Sequence, residues 1–275
     1  MEKFRKRQRR FKALRNACVI VTAAAFLLYI TFEPTLTKTL QKPSLFQLLL
    51  FAMVAVTLAL LFLYEAKFGK AERYADDMQL KIDDAGYYLS AREEETSEAY
   101  FEAMVADLTE NGFRLQKDVS YDGLTFDAVA VYHSEMVYIV KTDSADKNDV
   151  IAYTDAAVND ITSRLLKRKG NAIVVLLCEL AEDSAIAVSK TYTQLYSGRR
   201  ATLSVYPVIA EIPSKRVYCL GNKISPAQKL ITAYVMNCEL PVKEQYICRD
   251  KLPFQLELEE KMRHFDYKSL SQKEK

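Results

Sequence analysis

Two long apolar runs stand near the start of the chain, before a remainder of mixed α/β pattern. Residues 17–32 (ACVIVTAAAFLLYITF) and 45–64 (LFQLLLFAMVAVTLALLFLY) contain no charged residue. The second run is long enough for a helix to cross a hydrocarbon core of about 30 Å. The first reaches that length when it is extended to Leu14, with the side chain of Arg15 turned toward the interface. The pattern predicts an N-terminal two-helix transmembrane hairpin.

Basic residues flank both predicted spans. Eight Lys and Arg precede Asn16, and Lys67, Lys70 and Arg73 follow the second run. Because cytoplasmic flanks are rich in Lys and Arg, both termini are expected in the cytoplasm, with residues 33–43 as a short external turn at the cell membrane. A basic start before an apolar run also occurs in cleaved signal peptides, but a second run so close behind favours the hairpin.

Charge divides the chain unevenly. The first 64 residues hold ten Lys and Arg and two acids, which leaves 28 bases and 34 acids in the rest. Residues 1–16 are therefore interpreted as a basic cytoplasmic arm that sets orientation and contacts anionic lipid, with nucleic-acid contact as the alternative. The acidic remainder argues against broad nucleic-acid affinity, because backbone binding needs a positive surface.

Cysteine and histidine narrow the chemistry. The five cysteines form no CxxC pair and suggest reduced thiols in a cytosolic domain. Only two histidines occur, which argues against a His-rich zinc site.

Periodicity after the second span predicts a helical connector and then a cytosolic α/β domain over residues 91–267. The connector, residues 65–90, is predicted to be helical. It either pairs with a second copy of itself or is a solvated connector without a partner. Residues 268–275 are a polar tail. The predicted helices of the domain are 93–111, 149–169, 182–196, 225–238 and 252–265. The predicted strands are 113–119, 124–132, 136–142, 172–178, 202–211 and 216–220.

The stretch Gly123–Thr142 carries the most informative residues. It predicts two strands joined by a tight turn at His133-Ser134, with Asp127 and Lys141 on neighbouring strands. The order from residue 93 to 178 is α-β-β-β-α-β, followed by C-terminal strands and helices. In that order and in the Asp127…Lys141 spacing, about 85 of the 275 residues resemble the restriction-endonuclease-like superfamily, closest to the type IV, Mrr-like enzymes.

The resemblance implies a metal-dependent phosphodiesterase site. In that plan Asp127 would bind Mg²⁺ or Mn²⁺ and Lys141 would position and activate the nucleophile, with an acid or Gln two residues before the lysine as a second ligand. Here that position is Ile139, which has no lone pair to offer. Three side chains are considered as substitutes for the missing acid: Asp143, Glu98 and Glu102.

Three functions follow from these residues. The leading hypothesis is a membrane-anchored protein with a degenerate nuclease-like domain that binds or scaffolds unknown protein partners. The alternative is an active membrane-tethered nuclease that uses Asp127 and Lys141. A third possibility is an assembly module of a membrane machine that is unrelated to nucleases. Under the first and third, Asp127 and Lys141 form an ordinary cross-strand pair.

Overall fold

A computed structural model describes residues 2–39, 43–163, 170–198, 201–221 and 225–265. The chain divides into two compact units. The first comprises residues 1–79 with 260–275, and the second comprises residues 80–259.

The first unit is built on two helices long and apolar enough, by length and composition, to cross a membrane. Helix α1 spans Glu2–Thr39 and α2 spans Pro43–Tyr64. They run antiparallel: the hydroxyls of Thr22 and Thr57 lie 2.8 Å apart, and Gln47 Nε2 donates to Tyr29 Oη at 2.9 Å. Pro43 starts α2, as its fixed φ favours. Residues 33–39 continue α1, so most of the expected turn is helical.

Aromatic and ionic contacts hold the basic start of α1 against the chain that follows α2. A π-turn, Glu65–Gly69, leads into α3, Lys70–Ile82. Phe11 packs on Tyr64 and Phe68 with ring centroids about 6 Å apart, and Lys12 forms an ion pair with Glu72. Residues 2–15 are thus helical, and Phe11 and Lys12 contact the chain that follows α2.

The second unit is a nine-stranded mixed sheet with helices on both faces. The strand order is β2-β3-β4-β5-β7-β8-β1-β9, and β6 also pairs with β7. The strands are β1 Tyr87–Leu89, β2 Arg114–Tyr121, β3 Leu124–Tyr132, β4 Glu135–Ala145, β5 Gly170–Ala181, β6 Gln194–Gly198, β7 Ala201–Glu211, β8 Arg216–Tyr218 and β9 Ile247–Cys248. Its helices are α4 Ser97–Glu110, α5 Lys147–Ser163, α6 Asp183–Thr191 and α7 Pro226–Leu230. Helix α8, Pro253–His264, begins in this unit and ends in the first.

Residue alternation along the strands divides the core into two layers. Ile139, Val175 and Ala210 face one layer, which includes the buried side chains of α4 and α7. Tyr138, Val174 and Ile209 face the other, which includes α5 and α6. The continuous apolar run of β5 follows from this arrangement, because both of its faces are covered. The predicted mixed α/β class is confirmed, and the element order α4-β2-β3-β4-α5-β5 is the expected one.

The structure revises the limits of the predicted helices. Helix α4 begins at Ser97 rather than at residue 93, because the hydroxyl of Thr96 accepts a hydrogen bond from Ala99 N at 3.2 Å and caps it. Helix α5 begins at Lys147, and the end expected at residues 164–169 lies outside the described residues. Helix α7 starts after its predicted cap, Ser225, and continues through a π-turn to Val235.

Three strands, β1, β6 and β9, are not among those predicted from the sequence. The helix predicted over 182–196 is wrong after Thr191: residues 194–198 form β6, which pairs with β7. The connector is helical only to Ile82, because Tyr87–Leu89 form β1. Strand β1 pairs antiparallel with both β8 and β9. The short strands β1 and β9 therefore form through pairing with segments that are distant in the sequence.

Burial separates the cysteines into two groups, and we expect their reactivity to follow. All five are free; Cys178 and Cys219 are buried, and burial raises the pKa of each thiol to about 12. From the ordinary value of 9.0 this means about a thousandfold less thiolate at pH 8, since each pKa unit is tenfold. Iodoacetamide should therefore modify Cys248, which is partly exposed, and leave Cys178 and Cys219 unmodified. Peptide mass spectrometry at pH 8 checks this; equal labelling of all three would contradict the packing.

Candidate functional site

Strands β3 and β4 separate at Asp127. Their ladder pairs Ala128 with Ile139 as its last rung toward this end. Beyond it, Asp127 Oδ2 accepts a hydrogen bond from the backbone N–H of Lys141 at 2.7 Å. The carboxylate thus takes the place of a strand partner for β4. The tight turn at the opposite end of the hairpin has φ 49° at His133, as a two-residue connection requires.

The ammonium of Lys141 lies between two carboxylates. Its Nζ donates to Glu98 Oε2 at 2.6 Å and lies 3.7 Å from Asp127 Oδ1. It also lies 4.6 Å from the ring centroid of Phe101. Glu98 and Phe101 reach this point because α4, capped at Thr96, packs its buried side over the strands. We refer to Glu98, Asp127 and Lys141 as the acid–lysine cluster.

The electrostatics of this cluster favour a charged lysine. The hydrogen bond to Glu98 raises the pKa of Lys141 above 10.5, partial burial lowers it, and the Asp127 carboxylate raises it again, for a net increase. A raised lysine pKa contributes stability at every pH below the ordinary value, and that contribution is lost as the pH rises through the folded value. At neutral pH the ammonium therefore stays protonated. This opposes a role as general base, which needs a lowered pKa.

Of the three residues considered as substitutes for the missing acid, one contacts Lys141 and two lie elsewhere. Glu98 joins the cluster. Glu102 instead forms an ion pair with Lys117, at 2.9 Å, on the surface. Asp143 lies on β4 with its side chain exposed. Ile139 occupies the position where the nuclease plan expects a ligand. Its side chain is fully buried in the core layer that contains the buried side chains of α4 and α7, which we call the α4-side core layer.

The arrangement does not fit the divalent metal that the resemblance implies. Asp127 already accepts from Lys141 N–H, and Glu98 is engaged by the lysine ammonium. Within the described ranges no group of three or more His, Cys, Asp or Glu is placed to hold a metal ion. A divalent cation would compete with the ammonium for these two carboxylates, and water would have to supply most of its about six oxygen ligands.

Asp127 is expected to matter for stability through its hydrogen bond to the β4 backbone. Asp127→Ala should cost about 1–3 kcal/mol in the free energy of unfolding, because it leaves the N–H of Lys141 without its acceptor. Asp127→Asn keeps an amide oxygen there and should cost clearly less. Denaturant titration of the full chain in detergent compares the two. Equal losses would show that this hydrogen bond does not stabilise the fold.

A second polar cluster was not anticipated from the sequence. The side chains of Lys190, on α6, and Asp84 are 1% and 2% exposed and form an ion pair at 3.0 Å. Lys190 Nζ also donates to the carbonyl of Cys219 at 2.9 Å. The signal was present: Ala185, Ile186, Ser189 and Lys190 share the buried side of α6, which places a lysine at a core position.

The fold and the two candidate spans define a mixed α/β protein with an N-terminal pair of apolar helices. Comparison of the chain with protein-family models finds no match, and comparisons with curated proteins and with solved structures find none either. The proposals below therefore stand on the residues and the geometry of this chain alone.

Proposed function

We propose that the chain is a two-span protein of the cell membrane, with both termini in the cytoplasm. It would hold a nuclease-like α/β domain at the membrane face, where this domain binds or scaffolds protein partners and does not cleave nucleic acid. The lipid bilayer and unknown proteins, including a second copy of the chain, are the proposed partners.

The acid–lysine cluster is the observation that carries the non-catalytic assignment. Each carboxylate has a partner inside the protein, and the lysine has two. The position of the missing acid is filled by Ile139, whose side chain is part of the hydrophobic core. Such a cluster ties α4 to the end of the β3–β4 hairpin, which is a structural task.

Exposed apolar side chains support the membrane assignment. On α1 and α2, Ile20, Leu27, Leu48, Phe51 and Phe62 are each at least 66% exposed. Water-soluble monomers rarely expose a continuous apolar band of this kind, whereas lipid would cover it. The eight bases before Asn16 favour a cytoplasmic N-terminus.

The orientation is testable with reporters. A cytoplasm-dependent fluorescent reporter fused after Lys275 should be active, and a periplasm-dependent phosphatase at the same place should be inactive. In a matched variant, Lys and Arg between residues 5 and 15 are replaced by Gln, which should weaken this preference. An active phosphatase on the unaltered chain would overturn the orientation.

An active membrane-tethered nuclease is the second candidate function. It is favoured by one observation: the carboxylates of Asp127 and Glu98 both lie within 3.7 Å of the Lys141 ammonium at the end of a hairpin. Under this proposal, loss of the ammonium's contacts would free two carboxylates for Mg²⁺ or Mn²⁺ when nucleic acid binds.

Nucleic-acid cleavage decides between the two functions. The full chain in detergent is incubated with single- and double-stranded DNA and RNA and with Mg²⁺ or Mn²⁺. We expect no cleavage above that of Asp127→Ala and Lys141→Ala. Glu110→Ala, which removes an exposed acid at the end of α4, serves as the matched control. Cleavage that survives in the control and disappears in the other two variants would establish the nuclease and exclude the binding module.

A further inference from the structure

A cavity of about 350 Å³ lies within the second unit, away from the acid–lysine cluster. Its walls come from the start of this unit, from β1 and α7, and from residues 240–249. The apolar part of the lining includes Leu80, Tyr88, Pro241 and Val242. The volume falls at the lower end of the range of small-molecule sites, about 300–1,000 Å³. We call it the Gln228 cavity, after the buried polar residue that lines it.

Two of the three charged side chains that line the Gln228 cavity are ion-paired, and the third is exposed to solvent. Asp84 is paired with the buried ammonium of Lys190 at 3.0 Å. Arg249 is paired with Glu244 at 3.3 Å. Asp83 is exposed to solvent. A charged molecule would therefore gain little from this lining and would lose its hydration, so the cavity favours an uncharged occupant.

Gln228 offers one unused acceptor. Its Nε2 donates to the carbonyl of Gly221 at 2.9 Å, which fixes the orientation of the amide. Its Oε1 is buried and, within the described parts of the chain, has no hydrogen-bond partner. The residue is 9% exposed, so solvent reaches it poorly. Buried carbonyl oxygens in folded proteins nearly always have a donor, which indicates that something else supplies one.

We infer that the Gln228 cavity binds a small uncharged molecule with an apolar body and one O–H or N–H group. The apolar body packs against Tyr88, Pro241 and Val242. The polar group donates to Oε1 of Gln228 and satisfies the unused acceptor. Ligand sites commonly combine an apolar lining with a few polar groups that fix orientation in this way.

The test uses two probes that differ in one hydroxyl group. Para-fluorobenzyl alcohol and para-fluorotoluene are titrated into the full chain in lipid nanodiscs and followed by fluorine NMR. The Val242→Trp variant, in which the larger side chain fills the cavity, is titrated in the same way. Its signal gives the partition of each probe into lipid and is subtracted. The alcohol should bind saturably to the unaltered chain. The toluene should bind to the same chain about tenfold more weakly, and the alcohol should bind to the Gln228→Met variant about tenfold more weakly. Circular dichroism and the melting temperature check that both variants fold.

Two outcomes would overturn the assignment. If the alcohol shows no saturable difference between the unaltered chain and Val242→Trp, the cavity holds only water. If the alcohol and the toluene bind equally well and Gln228→Met changes neither, the cavity is a nonspecific apolar void. Should Gln228→Met fail to fold, the difference between the two probes on the unaltered chain still decides.

Discussion

Replacing Ile139 with glutamate is expected to unfold the α/β unit rather than to complete a metal site. Ile139 is fully buried in the α4-side core layer, beside Ala128 on the paired strand. Full burial can raise the pKa of a carboxyl by about 3–5 units, and at pH 7 this costs about 4 kcal/mol, because the folded protein must take up a proton that the unfolded chain does not hold. That cost, added to the lost packing of the isoleucine side chain, is a large part of the about 5–15 kcal/mol that stabilises a typical domain.

Ile139→Val is the matched control for this substitution. It removes one methylene from the same place and should cost only about 0.5–1.5 kcal/mol. The free energy of unfolding of both variants, measured in the full chain, checks the difference. A folded Ile139→Glu protein that cleaves DNA with Mg²⁺ would instead show that the nuclease plan is intact at this position.

Removing one partner of the buried Asp84–Lys190 pair is expected to have the second-largest effect. Each side chain is at most 2% exposed, and the two groups lie 3.0 Å apart. Lys190→Met should cost about 3–5 kcal/mol, because it leaves the carboxylate of Asp84 buried without its counter-charge. Asp84→Asn should also destabilise the fold, since it leaves the buried ammonium of Lys190 without its counter-charge.

The double variant, Asp84→Asn with Lys190→Met, separates charge from packing. Replacing both charges removes the uncompensated group, and buried ion pairs replaced by neutral side chains are often nearly as stable as the original. The double variant should therefore be more stable than either single variant. Denaturant titration of the four proteins gives the coupling energy. Additive losses would mean that the pair contributes only packing volume.

Local pattern predicted much of the fold. Strand β3 has the predicted limits, Leu124–Tyr132, and the turn after it lies at His133-Ser134 because alternation and turn chemistry act over a few residues. The buried face of α4 was likewise readable from its 3.6-residue period. Distant pairing was not readable: β6 overrides a helical pattern, and β1 and β9 are too short to show alternation.

The candidate site was predicted in part. Spacing placed Asp127 and Lys141 on adjacent strands, and the structure brings them within 3.7 Å. Of the three possible additional acids, only Glu98 reaches them, because the docking of α4 decides which side chains lie over the strands. Lys190 was overlooked, since a lysine is normally expected on the solvent face of a helix.

The dependence of stability on Mn²⁺ most directly tests the proposal that the acid–lysine cluster is structural and does not bind a metal. A metal that binds the folded state alone stabilises it by about 2.7 kcal/mol at a concentration 100 times its Kd. The free energy of unfolding of the full chain is measured in EDTA and in a Mn²⁺ titration, with Asp127→Asn alongside. We expect the same value in both conditions, since the ammonium of Lys141 already engages both carboxylates. A rise in stability with Mn²⁺ that Asp127→Asn abolishes would contradict this account.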